Sequence, residues 1–222
     1  SLNHGHGLTS NHNLMSAPDT ISNLSDFYFI EANQPEEIIA KTIKYVKYHI
    51  PKFFHLNPIN DIQVLCPMQR GGCGARSLNI ELQKALNPSL DKRIERYGQL
   101  YAVGDKVMQT ANNYDKDVYN GDIGIISDID LLEQEITVAI DNKTVTYSFN
   151  ELDELSIAYA VTIHKSQGSE YPAVVIPITT QHYPMLQKNL LYTAITRGKK
   201  LVILIGQKKA IALAVRNKKE AR

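Results

Sequence analysis

Thr162-Ile163-His164-Lys165-Ser166-Gln167-Gly168-Ser169-Glu170 packs hydroxyl, amide, imidazole, ammonium and carboxylate groups around one glycine. Such a stretch suits a loop that holds anions and is unsuited to filling a core. About one secondary-structure unit later comes Leu191-Tyr192-Thr193-Ala194-Ile195-Thr196-Arg197-Gly198, which sets an arginine at the polar end of an apolar helix. Residues 174–178 and 201–205 beside these stretches are apolar at every position. Continuous apolar runs are expected of parallel strands covered on both faces. A parallel α/β sheet follows, with a helix over 185–197 between two of its strands and a last helix over 207–217.

Upstream the same alternation recurs. Residues 27–30 read as a strand. Gln34-Pro35-Glu36-Glu37 reads as a helix start, with proline in the first turn and acids at the positive end of the dipole. Ile38, Ile39, Ile43, Val46 and Ile50 recur at helical spacing, and Pro51 is expected to end the run. Residues 62–66 form a second strand, and Ala75, Leu78, Leu82, Ala85 and Leu86 mark a second helix, stopped by Asn87-Pro88. Residues 98–150 break the pattern. Short β-rich runs at 106–109, 123–129, 136–140 and 144–149 are separated by turn signals such as Asn120-Gly121-Asp122 and Asp141-Asn142. This is the pattern of a small antiparallel barrel inserted into the α/β domain. The expected division is a flexible polar segment over 1–24, an α/β domain over 25–97 and 151–222, and the insert over 98–150.

Composition narrows the functional classes. The chain has 222 residues, enough for a sizeable core, with 43% hydrophobic and 21% charged residues. No apolar run approaches the ~20 residues that span a bilayer. The net charge of +1 argues against a uniformly basic nucleic-acid binder and leaves room for a local basic groove. Two cysteines, Cys66 and Cys73, are too few for a disulfide framework or a four-cysteine zinc site, and a reduced, cytoplasmic protein is expected. His4, His6 and His12 lack cysteine or acidic neighbours, so no metal site is expected there.

No G-x-x-x-x-G-K-[ST] phosphate loop occurs in the chain. The glycine cluster Gly71-Gly72-Cys73-Gly74-Ala75-Arg76-Ser77 follows a strand and opens a helix, but it lacks the lysine, and its G-x-G is weak as a dinucleotide fingerprint. Arg70 beside it is either a loop cation or a phosphate contact. Arg197 either complements the dipole of its helix or reaches a phosphate.

The two motif stretches resemble motifs V and VI of superfamily 1 nucleic-acid helicases, closest to the RecD-like branch, which includes the alpha subunit of exodeoxyribonuclease V and the helicase part of conjugative relaxases. Residues 64–76 with Leu78-Asn79 and Leu82-Gln83 resemble the motif IV region. Gly104-Asp105-Lys106-Val107-Met108 and Asn120-Gly121-Asp122-Ile123-Gly124 resemble turns of that branch's SH3-like insert. The resemblance implies a C-terminal RecA-like motor domain, of P-loop NTPase type but without its own phosphate loop, in an ATP-dependent 5′→3′ DNA helicase. It implies Arg197 as an arginine finger, with Arg70 beside it. It implies Glu170, Gln167 and Gly168 toward the nucleotide, and Thr162, His164, Lys165 and Ser166 on single-stranded DNA. ATP and Mg²⁺ would be bound mainly by an N-terminal RecA-like half outside these residues. Partners would be single-stranded and duplex DNA, that half, and other subunits of a helicase–nuclease complex. A DNA-binding or docking module without motor function is the alternative of another class.

Overall fold

The computed structural model describes residues 26–216 except 90 and 187. The polar segment 1–24, with its three histidines, lies outside them. The chain separates into two compact units: residues up to 78 together with 161 onward, and residues 79–160. The second is wider than the 98–150 expected for the insert.

The first unit is built on a five-stranded sheet in the order β1-β12-β11-β2-β10. Its strands are β1 (Asp26–Glu31), β2 (Ile62–Cys66), β10 (Ala160–Thr162), β11 (Tyr171–Ile178) and β12 (Gly198–Gly206). β1 and β11 both run parallel to β12, and β11 runs parallel to β2. Phe29 pairs with Leu204, Val202 with Val174, and Val175 with Val64. Every residue of β2 is buried, so both sheet faces are covered there. That is the reason these runs are apolar throughout. Burial keeps both thiols of this unit protonated: Cys66 is pushed far up, and Cys73 to about 11.

The helix after β1 starts as read, with Pro35 in its first turn; Glu37 accepts from the Asn33 N–H at 3.0 Å. It does not stop at Pro51. α1 (Pro35–Lys44) passes into a π segment (Tyr45–His49) and then α2 (Ile50–Phe54). A π turn shifts the hydrogen-bond register, so proline, which has no N–H, falls in the first turn of α2 instead of interrupting a ladder. The run ends at His55, in the left-handed conformation with φ of 55°. α3 (Ala75–Leu86) falls where its periodicity puts it. The helix expected over 185–197 is shorter: a 3₁₀ stretch, Thr180–Met185, precedes α4 (Lys188–Ile195). α5 (Lys208–Arg216) closes the described chain.

His182, 2% exposed, accepts the Thr179 N–H on Nδ1 at 3.3 Å, and burial pulls its pKa down to about 4. The unfolded chain therefore holds this proton up to pH ~6.5 while the native state releases it. The sign is fixed: His182 costs nothing above pH ~6.5 and destabilises progressively as pH falls toward 4. Urea midpoints measured across that window should decline, and the decline should flatten in His182→Gln.

The second unit holds a hairpin, β3 (Arg93–Arg96) with β4 (Gln99–Ala102), and a five-stranded antiparallel sheet. The sheet order is β8-β7-β6-β5-β9, from β5 (Lys106–Gln109), β6 (Ile123–Asp130), β7 (Glu135–Ile140), β8 (Lys143–Ser148) and β9 (Leu155–Ile157). Four of these strands lie where alternation and turn signals put them. Gly121 takes φ of +101° and Asp141 φ of 50°, as tight turns require. The core of this unit is polar at one point. Asp105, 0% exposed, accepts hydrogen bonds from Gln83 (2.7 Å), Asn87 (2.8 Å), the Tyr159 hydroxyl (2.7 Å) and the Ala102 N–H (2.8 Å).

Candidate functional site

In a parallel sheet the two edges are chemically distinct places, and the motif residues divide between them. At the C-terminal edge, β2 leads into the loop 67–74. A Cβ on Gly72 would lie 3.5 Å from Gln181, which follows β11, and 3.7 Å from Pro35, which follows β1. The loop turns back on α3: the N–H groups of Ala75 and Arg76 donate to the carbonyls of Met68 and Gln69, both at 3.0 Å. Ser77 Oγ donates to the Gly71 carbonyl at 3.0 Å. The first amides of α3 are thus satisfied by the loop itself, which explains why this glycine cluster is no phosphate cradle. Gly74 makes the turn possible, because a Cβ there would sit 2.6 Å from the Arg70 carbonyl oxygen. Gly74→Ala should cost about 1–3 kcal/mol in urea unfolding; an unchanged midpoint would show that the loop yields freely.

Ile163 also belongs to this edge, since its N–H donates to the Cys66 carbonyl at 2.9 Å. His164 and Lys165 follow it in a short 3₁₀ turn, His164–Ser166, and both are exposed. Thr162 is half-buried and its Oγ1 accepts the Lys165 N–H at 3.4 Å. Ser166 differs from expectation. It is 0% exposed, and its hydroxyl donates to the Ile163 carbonyl at 2.5 Å. It stabilises the turn and has no surface to offer a strand of DNA.

The opposite, N-terminal edge holds Arg197. Tyr171 opens β11, pairs with Gly198, and its N–H donates to the Arg197 carbonyl at 2.8 Å. The half-buried guanidinium donates to the Thr193 carbonyl (3.3 Å), the Ser169 carbonyl (3.2 Å) and Thr196 Oγ1 (3.3 Å). All three acceptors are neutral and the bonds are long; no carboxylate pairs with Arg197 among the described residues. An arginine drawn partly out of water without a counter-ion is ready to accept a bidentate anion, whose charge-assisted bonds are about twice as strong. Glu170 is exposed and pairs with Lys199 at 3.5 Å. Gln167 is exposed, and Gly168 takes φ of +79° with open space where a Cβ would project.

The two edges are far apart. Ile62 pairs with Ala173 and Val64 with Val175, which puts Cys66 level with Pro177. From there to Tyr171 is six residues, about 20 Å at ~3.3 Å per residue. Arg70, exposed beyond β2, therefore does not converge with Arg197 on one phosphate. It shares its edge with His164 and Lys165 instead. Sequence reasoning missed this because motif order says nothing about which end of a strand a loop leaves. It also missed Thr196 and the Ser169 carbonyl as the groups that hold Arg197, and Lys199 as the partner of Glu170.

Two family models match parts of the chain. Residues 78–140 match the model described as the ATP-dependent RecD-like DNA helicase SH3 domain, and residues 157–205 that of the UvrD-like helicase C-terminal domain. The chain thus has a helicase C-terminal region. The ATP-dependent RecD2 DNA helicase of Deinococcus radiodurans is 35% identical over 161 residues, 72% of this chain and 22% of that protein. The RecBCD enzyme subunit RecD of Mycolicibacterium smegmatis is 29% identical over 160 residues, 72% and 28%. That of Buchnera aphidicola subsp. Acyrthosiphon pisum is 28% identical over 206 residues, 85% and 33%. Over these residues the chain is similar to the C-terminal region of RecD-like helicases. The chain spans about a fifth to a third of the length of these relatives. Among solved structures, Pif1 helicase from Bacteroides in complex with ADP-AlF3 and single-stranded DNA aligns with a TM-score of 0.49 at 19% identity, over 77% of this chain and 45% of that one.

Proposed function

We propose that the chain is the second RecA-like motor domain of an ATP-dependent 5′→3′ DNA helicase, with residues 79–160 as its SH3-like barrel insert. The observation that carries this reading is Arg197: half-buried, held by neutral acceptors, and without a counter-ion. It acts as an arginine finger on a nucleotide whose phosphates and Mg²⁺ are held mainly by an N-terminal RecA-like half. Glu170 and Gln167 face the same nucleotide, with Gly168 the pivot between them and the DNA side. Thr162, His164 and Lys165, with Arg70 beside them, contact the backbone of single-stranded DNA. The protein would work in the cytoplasm, in recombination or repair, with other subunits of a helicase–nuclease complex as partners. No helix among the described residues is long and apolar enough to cross a membrane.

The mechanism follows from the loop between the two edges. Residues 163–171 leave the DNA edge at Cys66 and end sewn to Arg197. An anion that draws the guanidinium away from the Ser169 carbonyl releases one end of this loop and shifts the exposed His164 and Lys165 at the other. Nucleotide binding and grip on DNA are thereby two readouts of one equilibrium. The test is to mix the 222-residue chain with an N-terminal RecA-like half of a RecD-like helicase and assay DNA-stimulated ATP hydrolysis. The chain alone should turn over negligibly, and activity should appear on mixing. Robust magnesium-dependent turnover by the chain alone would overturn the division of labour.

A further inference from the structure

The helix α1–α2 carries a surface unlike the rest of this nearly neutral chain. Between Glu37 and Asp61 there is no acidic residue, whereas Lys41, Lys44, Lys47, Lys52, His49 and His55 all fall there. Lys41 is committed to Glu37 at 3.0 Å. Lys44, Lys47 and Lys52 make no ion pair among the described residues. Two large aromatic rings stand among them and face solvent, Tyr48 at 58% exposure and Phe53 at 61%. Lys47 Nζ lies 5.2 Å from the Tyr48 ring centre, and Lys52 Nζ 5.5 Å from that of Phe53. The positive field is felt locally: burial first, then Lys44 and Lys52, hold the His49 pKa below its usual value. The π segment Tyr45–His49, a distortion that recurs at functional sites, presents Lys47 and Tyr48.

Exposed rings alternating with unpaired ammonium groups match a single strand of nucleic acid, which offers bases to stack and phosphates to neutralise. An apolar partner would want the rings without the lysines, and duplex DNA would leave the rings unused. The surface is also separate from His164 and Lys165. β1 and β2 are parallel in one sheet, so the helix joining them must run back from the C-terminal to the N-terminal edge. Residues 44–53 lie in the second half of that return. The geometry points to a second single-strand contact site on α1–α2, built from Lys44, Lys47, Tyr48, Lys52 and Phe53, that holds the strand away from the motif loop.

The test is fluorescence anisotropy of a labelled oligothymidylate with the 222-residue chain, over a range of salt, together with photocrosslinking of a bromodeoxyuridine oligonucleotide. The double variant Tyr48→Ala/Phe53→Ala should bind about tenfold more weakly. The triple variant Lys44→Glu/Lys47→Glu/Lys52→Glu should also flatten the salt dependence by about two in slope. Lys44, Tyr48, Lys52 and Phe53 are exposed and Lys47 is half-buried, so urea midpoints should stay close to the parent, and crosslinks should map to Tyr48 or Phe53. Crosslinks confined to 162–168, with Lys165→Ala weakening binding and the double variant binding like the parent, would overturn this inference and leave the motor reading standing. Capture of poly-glutamate in place of the oligonucleotide would overturn it in favour of an acidic protein segment. Absence of any oligonucleotide binding would overturn it together with the DNA contacts of the motif loop.

Discussion

Arg197→Ala is expected to lower DNA-stimulated ATP hydrolysis in the mixture of both halves by about 10³-fold or more, the range arginine fingers contribute in other phosphoryl-transfer systems. The side chain is positioned for this by three neutral contacts, none of which offers the charge it lacks. Binding of the strand by the isolated chain should shift by a smaller factor, because the alanine also frees the Ser169 carbonyl that ties the 163–171 loop. Arg197→Lys separates charge from geometry. A lysine keeps the positive charge but cannot bond two oxygens in a fixed fork, so it should recover only part of the loss. Single-turnover hydrolysis with both variants checks this. If alanine is as active as the parent, Arg197 merely complements the end of α4 and the finger assignment falls.

Asp105→Ala is the substitution with the largest expected effect on stability. The carboxylate is wholly buried and satisfies four donors from three parts of its unit: α3 and the segment after it, the end of β4, and Tyr159. Removing it strands those donors in an apolar interior, at about 1–3 kcal/mol for each left unsatisfied. Some will find water, so about 3–5 kcal/mol is expected overall. That is a large share of the ~5–15 kcal/mol a domain possesses. Urea unfolding followed through tyrosine fluorescence would report it. Asp105→Asn keeps the shape, but its amide nitrogen must oppose either the Gln83 and Ala102 donors or those of Asn87 and Tyr159, so it should recover less than half. A midpoint shift below about 1 kcal/mol for the alanine would mean that the unit repacks around the site.

Much of this architecture is legible in the chain. Apolar runs at 174–178 and 201–205 announce buried parallel strands because covered faces admit no alternation. Gly121 and Asp141 announce turns because few residues tolerate positive φ. The failures have physical causes too. Pro51 reads as a stop only if the helix keeps a uniform register, and the π segment removes that condition. Arg93-Ile94-Glu95-Arg96 carries no strand signal, yet pairs residue for residue with β4 because Ala102 and Tyr101 supply the buried side. Ser166 looks like a ligand to DNA in a polar motif, and only the fold reveals its hydroxyl turned inward. Arg70 and Arg197 look like a pair until strand direction separates them. The motif residues themselves could be found from sequence; their division between two edges could not, because it depends on where each strand begins and ends.

The turn closed by Ser166 has a mechanical consequence. Residues 163–166 are cross-tied by the Ser166 N–H and hydroxyl, both to the Ile163 carbonyl, and so behave as a short rod. Residues 169–171 are anchored at Ser169 and Tyr171 to the arginine side. Gly168, in its left-handed conformation, joins them inside a turn that the Ser169 N–H closes on the Ser166 carbonyl at 3.0 Å. A rod, a tied turn and an anchor make a crank: a small displacement at the anchor is passed through the turn to the rod, so the stroke delivered at the strand is set by the length of the rod.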